Sequence, residues 1–208
     1  MGLPAELLRA HLDLLAERDP AIGRTLARVG YPEPRIRARG HQTLLRTIVG
    51  QQVSVASANA IWGRLEALFG ADMPLDAIAA TDDATLRTAG LSRQKAAYAR
   101  SLADEVLSGR LDLAALPEED EAAIARLVAV NGIGRWSAEI YLLFAEGRPD
   151  IWPAGDLAVQ VEVGRMLGLD ARPAERATRT LAENWRPYRG AAAIFAWHSY
   201  MAGTASAI

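Results

Sequence analysis

The sequence contains no cysteine among its 208 residues. Disulfide bonds, thiolate zinc sites, a cysteine nucleophile and a cysteine-held iron–sulfur cluster are therefore excluded, because each of them needs a thiol. The classes of redox and metal-dependent enzyme that rely on such sites are excluded as well. The missing thiols also mean that redox chemistry does not indicate the cellular compartment.

Long apolar runs are missing as well. The stretch MGLPAELLRAHLDLLAERDP, which opens the sequence, carries a charge every few positions, so it resembles neither a signal peptide nor a membrane anchor. No apolar segment reaches the roughly 20 residues that a membrane-spanning helix needs. We therefore expect a cytoplasmic protein without membrane contact.

Lysine is almost absent. Lys95 is the only one, so arginine supplies the rest of the 23 basic residues, and with 25 acidic residues the net charge is −2. Arginine binds phosphate well through its planar fork of donors, but a GC-rich gene gives the same bias and is the simpler explanation. The charge balance does not suggest a nucleic-acid binder that is basic throughout.

Helical spacing of apolar residues dominates what is present. Apolar residues repeat at this spacing from Pro4 to Glu17, and Asp19 followed by Pro20 is a typical helix start. The segment YPEPRIRARG, residues 31–40, indicates a linker or a short strand. We count roughly ten helices from the periodicity, which predicts an all-α fold.

The order of these helices suggests two helical subdomains within residues 1–208. We assign about residues 1–40 together with 150–208 to the first lobe, and residues 41–149 to the second. A cleft between two such lobes is a common position for a binding site.

One glycine-rich turn is the most informative stretch. In NGIGRWSAEIYLLF, residues 131–144, a four-residue turn separates a helix that ends near Val130 from one that starts at Arg135. A glycine pair alone indicates only a helix end. Here Gly132 and Gly134 permit positive φ angles and close backbone approach. The unpaired N–H groups at the start of the second helix can receive a phosphate oxygen without reading any base.

Three separated segments resemble those of one protein family. They are a helix–hairpin–helix at residues 121–146, the segment PAGDLAVQ with Asp156 at a helix start, and the segment IVGQQVSVASA, residues 48–58. Their order is that of the helix–hairpin–helix, glycine/proline–aspartate (HhH-GPD) superfamily of DNA glycosylases. The chain most resembles its 3-methyladenine DNA glycosylase II branch, in a short form without the N-terminal β-lobe. Asn131 departs from the family pattern, which usually has proline there.

This resemblance implies a monofunctional DNA glycosylase with an HhH-GPD fold and a DNA-binding cleft between its subdomains. It would hydrolyse the N-glycosidic bond of alkylated bases, of the 3-methyladenine or 7-methylguanine type, in base excision repair. The family's catalytic aspartate corresponds to Asp156, whose carboxylate would stabilise the developing charge on the sugar and orient water. From its position alone Asp156 is a helix N-cap, and it can be both.

Trp136 decides between two reaction types. Related bifunctional enzymes have a lysine at this position, which attacks the sugar and allows strand cleavage. Because the residue here is tryptophan and Lys95 is far away in sequence, we expect no lyase activity. Trp136 would bind a cationic base by stacking and cation–π attraction, with a core position as the alternative. The same two alternatives apply to Trp152, whereas core positions are expected for Trp62, Tyr141, Trp185 and Trp197.

The resemblance also assigns DNA contacts. Gln52 corresponds to the side chain that fills the gap left by the flipped nucleotide. The alternative is a loop glutamine that caps the next helix, and the neighbouring Gln51 is expected to be structural. Contacts to the DNA backbone are expected from the hairpin and the start of its second helix, that is from Gly132, Gly134, Arg135 and Ser137.

No cofactor is expected to be required. In the family, hairpin carbonyls bind a monovalent cation, and the corresponding carbonyls are those of Val128, Val130 and Ile133, which would hold Na⁺ or K⁺. The sequence shows no histidine–carboxylate zinc cluster and no glycine-rich nucleotide loop. The expected partner is double-stranded DNA that contains alkylated bases, and the protein is expected to be a monomer.

Two other functions remain open at this point. A non-catalytic helix–hairpin–helix module would keep both hairpin glycines but would not need Asp156. A glycosylase for deaminated or mismatched bases would use the same residues with a different base pocket, and the sequence does not define that pocket.

Overall fold

A computed structural model describes residues 2–205, and the described chain is helical with no strand. The α-helices are α1 (Ala5–Arg18), α2 (Pro20–Val29), α3 (His41–Gly50), α4 (Val55–Phe69), α5 (Leu75–Ala80), α6 (Asp83–Thr88), α7 (Arg93–Leu107), α8 (Asp120–Val128), α9 (Arg135–Tyr141), α10 (Leu157–Leu167), α11 (Glu175–Leu181) and α12 (Arg189–Ala205). A π-helical segment, Leu142–Glu146, follows α9, and a 3-10 turn, Ala182–Trp185, follows α11. The all-α prediction is confirmed, and residues 31–40 do not form a strand.

The chain divides into two compact units. The terminal unit comprises the chain through Arg37 together with the chain from Leu142 onward, and the central unit runs from Ala38 to Tyr141. Within the described residues, no helix is both long and apolar enough to cross a membrane.

Capping side chains fix many of the helix starts. A side-chain oxygen accepts a hydrogen bond from a backbone N–H of the first turn at Asp19, Ser54, Asp82, Ser92 and Asp156. Such a bond satisfies an N–H group that has no partner inside its helix. Helix α5 has no capping side chain, and the sequence pattern does not predict it.

In the terminal unit, α10 and α12 pack against each other and against α2, and α1 packs against α2 and α12. Leu8, Leu12, Ile22 and Phe195 are completely buried there, and the burial of such side chains is the main stabilising contribution. This packing fixes the start of α10, where Asp156 lies.

In the central unit, α7 packs against α3, α5 and α6, and α9 packs against α3 and α8. The core includes the fully buried Leu44, Ile48 and Leu102. Two turns result from this arrangement: residues 51–54 between α3 and α4, and residues 131–134 between α8 and α9.

Candidate active site and nucleic-acid interface

Asp156 is the N-cap residue of α10 in the terminal unit. Its Oδ1 atom accepts one hydrogen bond from the backbone N–H of Val159 at 3.0 Å and a second from Nε1 of Trp197, also at 3.0 Å. The partial positive charge at a helix start stabilises a carboxylate in this position. The carboxylate is therefore held in one orientation by two different elements, and a capping role is compatible with a reactive one.

Trp197 has a contact with Asp156 that sequence reasoning did not predict. Its indole is 8% exposed, as expected for a core residue, yet its N–H donates to Asp156. The ring packs against Phe144 with centroids 5.5 Å apart, and the guanidinium of Arg35 lies 5.7 Å from its centre. Only the fold brings α12 to the start of α10, so no local pattern could have revealed this contact.

The terminal unit contains a second pair of the same kind. Trp185 Nε1 donates to Oδ2 of Asp19 at 2.8 Å, and Asp19 caps α2 by accepting from the N–H of Ala21. An indole bonded to an N-cap aspartate is thus a structural device in this fold and does not by itself indicate catalysis. The pair provides a matched control for experiments on Asp156 and Trp197.

Trp152 lies in the core of the terminal unit. It is 2% exposed, its Nε1 donates to the carbonyl of Thr178 at 3.2 Å, and its ring meets that of Trp185 edge to face. A ring that is packed in this way offers no stacking face to a base. The structure therefore favours the core alternative for Trp152 over the pocket interpretation.

Trp136 lies in the first turn of α9 in the central unit and is 46% exposed. The core alternative does not hold for this residue, and stacking on a base stays a prediction. Trp62 and Tyr141 are buried, as expected. The hydroxyl of Tyr141 accepts a hydrogen bond from the N–H of Gly40 at 2.9 Å.

The two hairpin glycines are needed for different reasons. Gly132 has a φ of 87°, and a Cβ atom placed on it would lie 2.2 Å from Cδ2 of Tyr98. Gly134 is not among the glycines with positive φ, and its Cβ position has open space around it. The expectation of positive φ is thus right for Gly132 only, whereas Gly134 leaves room for another backbone to approach.

Arg135 is engaged with carboxylates. It forms a two-bond contact with both carboxylate oxygens of Glu121, and its Nε donates to Oε1 of the buried Glu139 at 2.9 Å. The bond to Glu121 raises the pKa of Arg135 above its ordinary value. Through these contacts Arg135 joins α8 to α9, and two carboxylates balance its charge. The predicted phosphate contact stays a prediction.

The predicted backbone contact of Ser137 has little surface available to it. Ser137 on α9 is only 8% exposed, so its hydroxyl offers almost no accessible area to DNA. The open hairpin backbone is the better candidate for a phosphate contact.

The turn between α3 and α4 carries the predicted plug. Gln52 is exposed and has a φ of 54°, a left-handed conformation that is uncommon for a residue other than glycine. Gln51 is structural, as expected: its Nε2 donates to the carbonyl of Gly132 at 2.8 Å. Strained backbone of this kind is common at functional turns.

Lys95, which is remote in sequence, lies beside this same turn. Its Nζ donates to the carbonyl of Val49 at 2.8 Å, and burial lowers the pKa of its ammonium group. A groove of about 250 Å³ is present here, lined by Gln51, Gln52, Val53, Ser92, Gln94, Lys95 and Tyr98.

The hairpin carbonyls fit a hard cation in their chemistry, since such ions prefer oxygen ligands. The carbonyl of Val130 accepts a hydrogen bond from the N–H of Ile133 at 3.0 Å, and a carbonyl oxygen has a second lone pair for an ion. Across residues 2–205, no group of three or more His, Cys, Asp or Glu side chains is placed to hold a metal.

The chain matches the model of one protein family. Residues 45–187 fit the HhH-GPD superfamily base excision DNA repair protein. The chain is 30% identical over 161 residues to DNA-3-methyladenine glycosylase 1 of Schizosaccharomyces pombe, a match that covers 76% of this chain and 71% of that protein. With a relative from Bacillus subtilis the identity is 28%, and the chain spans only 58% of that relative's length.

Two solved structures are similar to this one. The DNA-3-methyladenine glycosidase of Bacillus halodurans has a TM-score of 0.84 at 28% identity, covering 94% of this chain and 91% of that one. The 3-methyladenine DNA glycosylase Mag1 of Schizosaccharomyces pombe, in complex with abasic DNA, has a TM-score of 0.72 at 28% identity. The latter match covers 91% of this chain and 94% of that one.

Proposed function

The chain belongs to the HhH-GPD superfamily of base excision DNA repair proteins, and we propose on this basis that it is a monofunctional DNA glycosylase for alkylated bases. The reaction is hydrolysis of the N-glycosidic bond in double-stranded DNA, which releases the base and leaves an abasic site. The names of its relatives support 3-methyladenine and similar alkylated purines as the substrate class.

The observation that carries this proposal is the fixed carboxylate of Asp156. When the glycosidic bond breaks, the sugar becomes oxocarbenium-like and gains positive charge. A carboxylate already held by Val159 and Trp197 can stabilise that charge without reorganising, and it can orient the attacking water. A cationic alkylated base leaves readily, so one carboxylate is sufficient.

Water rather than an amine is the proposed nucleophile. Trp136 stands where bifunctional relatives have their lysine, and the amine of Lys95 is bonded to the carbonyl of Val49. The exposed ring of Trp136 would stack on the flipped base. The hairpin around Gly132 and Gly134 would bind a phosphate of the DNA backbone.

A monovalent cation is a further part of the proposal. The carbonyls of Val128, Val130 and Ile133 would hold Na⁺ or K⁺, whose charge would strengthen phosphate binding at the hairpin. Exchange of Na⁺ or K⁺ for a bulky organic cation at constant ionic strength should then weaken DNA binding.

Substitution of Asp156 by asparagine tests the catalytic role. Asparagine caps a helix as well as aspartate does, so Asp156→Asn should fold normally but lose the negative charge. We expect the release of 3-methyladenine and 7-methylguanine from methylated DNA to fall by about 100-fold or more. Base release is measured chromatographically under single-turnover conditions, with thermal unfolding as the check on folding.

Asp19→Asn is the matched control, because Asp19 is also an N-cap aspartate with an indole partner. It should excise bases at the wild-type rate. Wild-type excision by a well-folded Asp156→Asn protein would contradict the proposal. Tight DNA binding with no base release from any alkylated, deaminated or mismatched site would instead indicate a binding module.

A further inference from the structure

The turn that carries the predicted plug, residues 51–54 (the plug turn), is connected directly to the hairpin, residues 131–134, in the central unit. Gln51, which precedes the plug residue Gln52, donates from Nε2 to the carbonyl of Gly132 in the hairpin, at 2.8 Å in a partly buried position. The two residues are 81 positions apart in sequence. Neither the catalytic proposal nor the phosphate contact uses this bond.

Helix α7 supports both ends of the connection. Lys95 bonds to the carbonyl of Val49 at the end of α3, and one turn later the ring of Tyr98 lies so close to Gly132 that no Cβ fits between them. Residues three apart on a helix share a face. Helix α7 therefore contacts both the hairpin and the end of α3 that leads into the plug turn, and the side chain of Gln51 links the two turns directly.

The backbone of Gln52 needs such support. Its φ of 54° is unfavourable for a side chain with a Cβ, and such conformations persist only where the surrounding structure determines them. Since Gln51 is adjacent in the chain, its bond to Gly132 fixes the peptide from which the plug extends. Without it the turn can relax and the plug loses its direction.

We infer that Gln51 is a positioning residue, which holds the plug Gln52 at a set distance from the phosphate-binding hairpin. When the hairpin binds a phosphate, the plug is then already aimed at the base stack. This inference rests on the proposed function, because it takes Gln52 and the hairpin as DNA contacts.

The test uses a DNA duplex in which a tetrahydrofuran abasic analogue lies opposite 2-aminopurine. Insertion of the plug disturbs the stacking of 2-aminopurine and increases its fluorescence, and no base has to be flipped or excised. The fluorescence is read with the protein at saturation, so that a change in affinity does not enter. Gln52→Ala defines the signal without a plug.

In Gln51→Met, a side chain of similar length replaces the donor. We expect the ratio of inserted to non-inserted plug to fall about 2- to 10-fold, which corresponds to the loss of one partly buried hydrogen bond. Gln42→Met is the matched control, because Gln42 lies on α3, the helix that leads into the turn of Gln51, and its Nε2 donates to another carbonyl, that of Ala71, at 2.9 Å. Its signal should equal that of the wild type.

Thermal unfolding of both variants separates positioning from stability. A similar loss of stability with a reduced signal only in Gln51→Met supports the inference. A wild-type signal in Gln51→Met, or an equal reduction in Gln42→Met, overturns it. If Gln51→Met does not fold, Gln51→Asn, which is shorter by one methylene, is measured against the same two criteria. Failure of the proposed function would show separately, as absence of base release from methylated DNA by the wild type.

Discussion

Two buried tryptophans of the terminal unit have the same local chemistry. Trp185 and Trp197 each donate an indole N–H to a helix N-cap aspartate, at 2.8 and 3.0 Å. The difference lies in the aspartate, because Asp156 is the proposed catalytic residue and Asp19 is not. A single residue can therefore be assigned a role only through the group that it touches.

Trp197→Phe should reduce catalysis specifically. Phenylalanine keeps most of the packing against Phe144 but removes the bond to Asp156. A hydrogen bond to a charged group contributes about 1.5–3 kcal/mol, so kcat should fall about 10- to 100-fold while KM changes little. Steady-state kinetics on methylated DNA measure both. Trp185→Phe should lose stability but keep its kcat, and a kcat as low as that of Trp197→Phe would contradict the assignment.

Sequence patterns predicted the N-cap position of Asp156, which the structure confirms, because the evidence for it is local: a Gly/Pro loop and a helix start. Its catalytic role comes from the family resemblance and stays a proposal. Sequence patterns did not reveal the ion pair of Arg135, because its partner Glu121 is one helix earlier and reaches it only through the folded hairpin. The phosphate contact of Arg135 stays a prediction. An arginine after a glycine turn suggests phosphate binding, because the sequence does not show which carboxylates it pairs with. Trp197 lies in the core, as predicted, but its polar contact is 41 residues away in sequence and has no local signal.

At the level of elements, the two glycines of the hairpin have different roles: Gly132 serves the fold, and Gly134 is available for binding. Gly132 is required by its positive φ and by the ring of Tyr98. Among the described residues, none beyond its chain neighbours lies within 4 Å of a Cβ atom placed on Gly134. The fold needs the first glycine, and a ligand backbone would need the second.

Alanine substitutions at the two glycines should therefore affect different properties, stability at Gly132 and DNA binding at Gly134. Gly132→Ala should destabilise the protein by at least about 1–3 kcal/mol, because alanine is strained at positive φ and its Cβ would collide with Tyr98. Gly134→Ala should leave stability within about 0.5 kcal/mol but weaken binding to duplex DNA. Thermal unfolding and fluorescence anisotropy measure the two effects. Equal destabilisation by both substitutions would show that Gly134 also serves the fold.

Element boundaries could be predicted where a capping side chain marks them, as at Asp19, Ser92 and Asp156. Helix α5 has no such cap, and the switch to π-helix at Leu142 has no signal in an apolar run. These features depend on packing against other helices, and local sequence patterns do not show that packing.

At the scale of the whole molecule, the terminal unit joins the two ends of the described chain. Its helices α1 and α12 pack together, and the ring of His11 on α1 lies 4.5 Å from that of Tyr188, just before α12. The guanidinium of Arg18 lies over the same Tyr188 ring, at 5.3 Å. The amphipathic pattern of α1 could predict that His11 faces a core, but not which part of the chain covers it.

The buried position of His11 should make stability depend on pH. Its Nδ1 is buried without a hydrogen-bond partner in the described structure, and desolvation lowers the pKa of the imidazole. In the unfolded chain the imidazole of His11 has a pKa of about 6.5. As pH falls below about 7, the unfolded chain therefore binds more protons at His11 than the folded one. The free energy of unfolding should therefore be highest above this pH and decrease on acidification.

Comparison of the wild type with His11→Phe isolates this contribution. Phenylalanine keeps the contact with Tyr188 and cannot be protonated, so the free energy of unfolding should fall less between pH 7.5 and 5.5 in the variant. The difference in slope is at most about 1.4 kcal/mol per pH unit for one group. Urea unfolding at several pH values measures it, and parallel curves for the two proteins would mean that His11 keeps the pKa of an exposed imidazole.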